Sequence, residues 1–535
     1  MYDPIDGVSN PYLILSIGGR ILKVVPDSGI VTDLSSNFGL TNPPLVDQAH
    51  FCQAEEFLII QSGDGVTKPL FWDGVTLRRS KGITNNTVAP GTPGVNEIPA
   101  ATAMDYYEGR LWYAQGRTYG AGDMVKGPSG TVPYAGRDAI LNVTENPLCI
   151  GGDNFAVPTN AGNIRALFHN ANLNAPLGQG QLFIGTRKAI YAQQVPVSRT
   201  DWINASGNNQ PVQSVVQLIN GPVGDRCIVK INGDIFYQSL EPAIRSLFAS
   251  LRDFNQWGNS QISNNEERIL RFNDRALLRF ASGVEFDNRS LQTALPVQTP
   301  FGVVHQAIVP LDFDLISTLE EKLPPAWEGA YDGLDILQLF VGDFGGRERA
   351  FAMVVSRVDQ GFDLWELTKD QRFENGDSRV QWSVETPAWS WGSEFDLRQL
   401  QACEIYVDKI FGTVKVQLDY RPDSDPCWRL WGITELCVAR NSAETVTDPV
   451  TYPIGPDFRE GYCSPIVFGK PGADCAKSSC TKRPSDIGHQ FQLRITIKGW
   501  MRIRGVLVYA SPVETGLYEL LNACLPASDL LMPVQ

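Results

Sequence analysis

Histidine is the side chain best placed to move protons near neutrality. This sequence holds only four, His50, His169, His305 and His489, each more than about 100 residues from the next, so the HExxH zinc site, which needs two of them four positions apart on one helix face, cannot form. Neither a GxSxG elbow nor a GxxxxGK[ST] phosphate loop is present, and Gly469-Lys470 lacks the earlier glycine that a phosphate cradle requires. Glycosidic cleavage uses two carboxyl groups roughly 5–10 Å apart. Asp312 and Asp314, on one face of a strand, are the pair tested for that role, but with 59 acidic residues such pairs recur by chance and a solvated strand face is the plainer reading. Asp419, Asp423 and Asp425 begin like a calcium loop without its glycine and terminal glutamate, so a turn is expected.

Ten cysteines are present, seven of them after residue 400: Cys403, Cys427, Cys437, Cys463, Cys475, Cys480 and Cys524. No CxxC pair occurs, and Cys463, Cys475 and Cys480 have only His489 near them. Unpaired thiols are the first reading, with a disulfide or a metal knuckle left open. No catalytic residue, cofactor site or metal ligand is assigned. One basic concentration stands out between Lys477 and Arg504. Within it Arg494, Lys498, Arg502 and Arg504 are candidates for lining a channel or touching a neighbouring subunit, against the plainer reading of a solvated sheet face.

The elements that would carry these residues are short. A chain of 535 residues exceeds a single hydrophobic core, which stops growing at roughly 250–300 residues. With 43% hydrophobic and 19% charged residues, 49 Gly and 35 Pro, it reads as globular and turn-rich. Apolar runs of strand length, Tyr12–Ile17, Phe57–Ile60, Leu111–Ala114, Leu182–Gly185, Ile235–Tyr237, Leu277–Phe280 and Leu339–Val341, are bounded by Gly, Asn, Asp or Pro. From Phe57 onward they recur about every 40–70 residues, near the length of a four-stranded propeller blade, with stacked sandwiches as the competing architecture.

One segment breaks the pattern: in 239–251, apolar residues at 240, 244, 247, 248 and 251 follow helical spacing, with Ser239 placed to cap and Pro242 in the first turn, which predicts a short helix. A weaker helical pattern spans Leu517–Cys524. Toward the C-terminus Val414–Arg421 and Phe491–Lys498 alternate apolar and polar and predict half-buried antiparallel strands. The polar stretch 441–486 between them predicts a surface excursion or contact arm. The expected fold is mainly β, an irregular propeller-like domain over 1–380 followed by an antiparallel, sandwich-like domain over 381–535, the boundary falling just before the Trp-rich segment Trp382–Trp391.

No window approaches 18 apolar residues and the start has no basic and apolar leader, so neither a membrane span nor a secretion signal is expected. The sequons at Asn85, Asn142, Asn204 and Asn288 are read as chance. A net charge of −14 without a polybasic arm argues against a non-specific grip on DNA. The 12 Trp, 16 Tyr and 25 Phe could stack on sugars, but core packing accounts for them more simply.

The central segment contains Gly233-Asp234-Ile235-Phe236-Tyr237-Gln238-Ser239, then Ile244-Arg245-Ser246-Leu247 and Ile262-Ser263-Asn264. It continues through Ser282-Gly283-Val284-Glu285-Phe286-Asp287-Asn288-Arg289 to Thr293 and Pro296. This resembles the core of the tail nozzle (tail tubular protein B) family of short-tailed bacteriophages, with Gly233, Asp234, Arg245, Ser246, Ser282, Gly283, Asn288, Arg289 and Thr293 as its structural motif residues. The opening, Leu13–Val24, Phe57–Ile60 and Leu70–Gly74, fits the same family. The resemblance implies a non-enzymatic virion protein, assembled in the host cytoplasm. It would form a six-fold homo-oligomeric ring at the distal tail, contact an adaptor ring and fibres or spikes, and let double-stranded DNA pass without sequence-specific binding. A neck, hub or adaptor protein anchoring fibres is the alternative, and a glycan-binding or glycan-cleaving propeller the third reading.

Overall fold

The computed structural model describes residues 1–4, 9–44, 48–83, 96–124, 137–143, 155–170, 181–195, 213–216, 220–247, 261–263, 266–314, 326–359, 361–368, 373–374, 378–392, 395–437, 458–460, 465–472 and 485–513. The fold is mainly β, in two compact units, Met1–Leu367 and Thr368–Gln535. The division lies a short way before the expected position near residue 380.

The first unit is a run of antiparallel meanders met in chain order, as in propeller blades. Sheet one comprises Leu13–Ile17, Arg20–Val25 and Ile30–Asp33. Sheet two comprises His50–Ala54, Phe57–Gln61, Leu70–Trp72 and Leu77–Arg79, and sheet three Ala103–Tyr107, Arg110–Gln115, Thr118–Ala121 and Phe155–Ala156. Sheet four is built from Ile164–Asn170, Gln181–Thr186, Ile190–Gln193 and Gln213–Val216, sheet five from Val229–Ile231, Asp234–Ser239 and Ala243–Ser246. A larger sheet six runs through Gly283–Phe286, Arg289–Thr299, Gly302–Asp312, Tyr331–Asp343, Glu348–Val355 and Phe362–Leu367, with Ala326–Trp327 beside its third strand.

Strand Phe57–Gln61 shows why the apolar runs are continuous rather than alternating. Side chains two apart share a face. Leu58 and Ile60 pack with Tyr12, Ile14 and Ile21 of sheet one, whereas Phe57 and Ile59 pack with Leu111 and Tyr113 of sheet three. A sheet covered on both faces needs both sets apolar. Equivalent cores join sheets three and four through Trp112, Tyr119, Ile184 and Tyr191, sheets four and five through Phe168, Phe183, Ile235 and Tyr237, and sheets five and six through Phe236 and Leu311. Sheet six returns to sheet one: Arg349 Nη1 lies 2.5 Å from Asp27 Oδ1, and Met1 packs against Gly342, where a Cβ would fall 2.4 Å from its sulfur.

Of the helix expected over 239–251, residues 239–246 form strand and turn instead, and Leu247, the last described residue of the segment, is helical. Ala243–Ser246 is the return strand of a hairpin, with Gln238 opposite Ile244 and Ser239 opposite Ala243. Ile244 enters the core with Ala294 and Val309, whereas Leu247 enters the one with Phe168 and Tyr237. Within the strand Ala243–Ser246 successive side chains point to opposite faces, and here both faces are covered. Residues 248–251, like Leu517–Cys524, lie outside the described residues.

In the second unit the described strands, apart from a small hairpin of Phe373–Glu374 and Ser378–Arg379, join one antiparallel sheet ordered Gln381–Glu385, Phe491–Pro512, Arg398–Pro422 and Arg429–Cys437. Val416 faces Ile497, Leu418 faces Ile495 and Tyr420 faces Leu493, so the two alternating segments bury their apolar sides in one core. Trp382, Trp389 and Trp391 pack against it. The long excursion partly returns to this sheet: Phe458–Glu460 and Ile466–Phe468 pair in turn with Arg398–Pro422, as does Ile487–Gly488 just after it. Within 441–486 the structure describes 458–460, 465–472 and 485–486; Cys463, Cys475 and Cys480 lie outside the described residues. Among the described residues no helix is long and apolar enough to cross a membrane.

Candidate functional site

The motif residues of the central segment come together as a fastening between sheets five and six. Asn232-Gly233 and Asp287-Asn288 form two-residue hairpin turns in which all four φ values are positive, 51°, 78°, 53° and 56°. Such turns match the twist of the strands they join and favour Asn, Asp and Gly. The two turns touch, Asn232 Nδ2 donating to Asn288 Oδ1 at 3.1 Å and Asn288 Nδ2 to Asp314 Oδ1 at 2.8 Å. Within sheet five the Ser246 hydroxyl bonds the Asp234 carboxylate, and buried Arg245 donates Nε to Ser239 Oγ at 2.9 Å. At the start of sheet six the Ser282 amide donates to Thr293 Oγ1 (2.9 Å), Thr293 Oγ1 donates to the Ser282 carbonyl (3.1 Å), and the Leu339 amide donates to Ser282 Oγ (2.9 Å). Gly283 admits the close approach of sheet five, since a Cβ there would fall 2.7 Å from Val229 Cγ2.

Asp312 and Asp314 are brought together, but around a cation. Arg289 Nη2 lies 3.1 Å from Asp312 Oδ2, Nη1 lies 2.8 Å from Asp287 Oδ2 and 3.8 Å from Asp314 Oδ2, and Nε lies 2.9 Å from Glu328 Oε1. The Asp314 amide also donates to Asp312 Oδ1 at 2.8 Å. The two carboxylates are thus members of an ion-pair network centred on Arg289.

The basic quartet divides. Arg494 contacts Asp419 Oδ2 through Nε (3.1 Å) and Nη2 (3.0 Å) and stacks 4.7 Å from the Trp428 ring centroid, while Asp419 is 3% exposed. Lys498, Arg502 and Arg504 are exposed, and Lys498 stands directly opposite Lys415 in the ladder. The three acids first read as a turn are each occupied: Asp419 by Arg494, Asp423 by the His489 and Gln490 amides (2.7 and 3.0 Å), and Asp425 by the Cys427 amide (2.9 Å) and Arg429 (3.3 Å). Positive φ at Asp423 and Ser424 makes this a turn.

Sequence reasoning missed the groups gathered by the first strands of successive sheets. His50 Nδ1 lies 2.6 Å from Asp225 Oδ2, and His169 Nδ1 lies 2.6 Å from Asp105 Oδ2 with Lys230 Nζ at 3.4 Å. Burial opposes the charge on Asp225, yet His50 and Arg226 more than offset it and its carboxyl sits below the usual range. A funnel of about 360 Å³ opens here, lined by Gln48, His50, Asp64, Arg165, Asp225 and Arg279. Burial also works against the charge on Asp64, but hydroxyls of Ser62 and Thr67 and amides of Val66 and Thr67 hold it well below the carboxylate range. The nearby Cys52 thiol is pushed up by burial, as are Cys227, to about 11, and Cys403, to about 12. Thiols so held are poor nucleophiles. Among the described residues no group of three or more His, Cys, Asp or Glu is arranged to hold a metal ion.

No protein-family profile matches the chain, and no curated protein does. Among solved structures it is similar to a protein described as a glycoside hydrolase (12% identity, 86% of this chain and 96% of that one, TM-score 0.23). It is also similar to a mutant Trypanosoma rangeli sialidase displaying trans-sialidase activity (8% identity, 93% and 96%, TM-score 0.31).

Proposed function

We propose that this chain is a structural protein of a virus particle, a ring-forming tail nozzle subunit through which DNA leaves a short-tailed phage. The observation that carries the reading lies in the second unit. Along residues 503–512 of the strand Phe491–Pro512, no described strand pairs on the side away from Arg398–Pro422. Val506, Leu507 and Tyr509 are exposed there, beside exposed Tyr406 and Val467. An exposed edge of this length with apolar side chains is a template for another chain, and head-to-tail contacts that close make a ring.

Two further features support the same reading. The motif residues behind the resemblance are used in hydrogen bonds and ion pairs that hold sheets together, a scaffolding use. A chain of net charge −14 repels the duplex rather than gripping it, as an exit path requires.

The test is assembly. Native mass spectrometry of the purified chain, alone and with extracts of infected cells, should give a closed six-fold species, and Val506→Asp with Tyr509→Lys should shift it to monomer. Labelling on intact particles should place it at the distal tail tip. A peripheral position contacting fibres would assign the adaptor role instead, and absence from purified virions would reject both.

A further inference from the structure

Between sheets four and five and the segment leading into sheet six lies a cavity of about 480 Å³ whose described lining carries Arg165, Arg187, Arg275 and Arg279 and no acidic residue. Its apolar lining includes Pro222, Val223 and Leu240. In a chain with 45 Lys and Arg against 59 Asp and Glu, four guanidiniums gather around one cavity; Arg165 and Arg279 also border the funnel that holds Asp64 and Asp225, so the charge particular to this cavity is that of Arg187 and Arg275. Arg187 and Arg275 have no acidic group within salt-bridge distance among the described residues, and both are exposed.

The floor is built rather than incidental. The loop through Pro222 and Val223 is wedged by glycines that leave no room for a side chain. A Cβ at Gly221 would fall 1.8 Å from the Thr186 carbonyl oxygen, one at Gly185 would fall 2.4 Å from Pro222 Cγ, and one at Gly224 would fall 2.9 Å from the Arg279 carbonyl oxygen. The loop is thus pressed against sheet four on one side and against the backbone of Arg279 on the other. Arg187 follows strand Gln181–Thr186 directly, so the same wedge sets where two of the four arginines begin.

We infer that this cavity binds a small organic oxyanion, a carboxylate or phosphate whose carbon skeleton rests on Pro222 and Val223. Guanidinium forks match both anions through paired hydrogen bonds, a cavity of this size is typical of small-ligand sites, and an apolar floor with a charged rim orients a ligand with one anionic end. The inference is independent of ring assembly, because every residue it uses lies in the first unit and none on the 503–512 edge.

Isothermal titration of the full-length chain with glucuronate, glucose 6-phosphate, inorganic phosphate and neutral glucose tests it. The anionic probes should bind saturably, glucose should not, and raising the salt from 50 to 300 mM, both rough working values, should weaken binding several-fold by screening. Arg187→Gln with Arg275→Gln should lose about tenfold or more in affinity, the loss expected for removing charge-assisted hydrogen bonds. Circular dichroism checks that the variants are folded, and Arg275→Glu alone is the second, less invasive variant. Tighter binding of the sugar acids than of inorganic phosphate assigns an organic ligand, while equal binding assigns free phosphate to the same site. Affinity unchanged in the folded Arg187/Arg275 variants, or no saturable binding of any anion, overturns the inference.

Discussion

Thr293→Val keeps the side-chain volume and removes one hydroxyl, which isolates what the motif does. That hydroxyl accepts from the Ser282 amide at 2.9 Å and donates to the Ser282 carbonyl at 3.1 Å. Both residues are 0% exposed, so bulk water cannot take its place. The Ser282 carbonyl keeps a second donor, the Thr293 amide at 2.9 Å, but the Ser282 amide would lose its acceptor. A buried donor left without a partner costs about 1–3 kcal/mol, so a loss of about 2 kcal/mol is expected in the first unit. Ser282→Ala should cost a similar amount by a different route: it deprives the Leu339 amide of its acceptor at 2.9 Å, beside the register shift between Ile336 and Gln338. Since both changes act on one network, the double variant should depart from the sum by about 0.5–1 kcal/mol. Hydrogen exchange read by mass spectrometry on peptides covering these strands is the assay, with urea unfolding alongside. A loss of about 2 kcal/mol speeds opening-limited exchange roughly 30-fold. Exchange within twofold of the parent in a folded Thr293→Val protein would refute the structural assignment of the motif.

Other substitutions probe the remaining assignments. Arg494→Gln removes the guanidinium from buried Asp419, leaving Gln417 Nε2 as a donor at 3.1 Å, and should cost about 2 kcal/mol, after allowance for the arginine's partial exposure, whereas Lys498→Gln should leave the unfolding free energy of the second unit within about 0.5 kcal/mol of the parent. Gly221→Ala, with its new methyl 1.8 Å from the Thr186 carbonyl oxygen, should destabilise by about 2–3 kcal/mol or abolish soluble expression. His305 is buried, and burial lowers its pKa to about 4. The native imidazole is therefore neutral while the unfolded chain takes up a proton below about pH 6.5. Stability should accordingly hold above that pH and fall by about 3 kcal/mol between pH 6.5 and 4; urea midpoints across that range should lose this slope in His305→Phe.

Much of the architecture was legible because the signals are local. Val414–Arg421 and Phe491–Lys498 alternate with period two, and they pair with each other. Gly18-Gly19 and Glu108-Gly109 mark turns because two-residue hairpins need positive φ, which all four residues adopt. The segment 239–251 misled over 239–246 for a physical reason: when both faces of a strand are buried, apolar residues need no strict alternation, so Leu240 and Ile244 fit a helical spacing without forming a helix, and of its described residues Leu247 alone is helical. The Asp312–Asp314 pair was visible as spacing, but its neutralisation by Arg289 was not.

Residue types and short-range periodicity alone determined that this chain is β-rich, turn-punctuated and without the spaced motifs of nucleotide or HExxH zinc chemistry, since each depends on neighbours within a few positions. Tertiary structure alone decided which distant groups meet. His50 finds Asp225 175 positions away, and Arg165, Arg187, Arg275 and Arg279 share one cavity. Such meetings depend on how successive sheets stack around common cores, a property of packing that no local window of the chain contains.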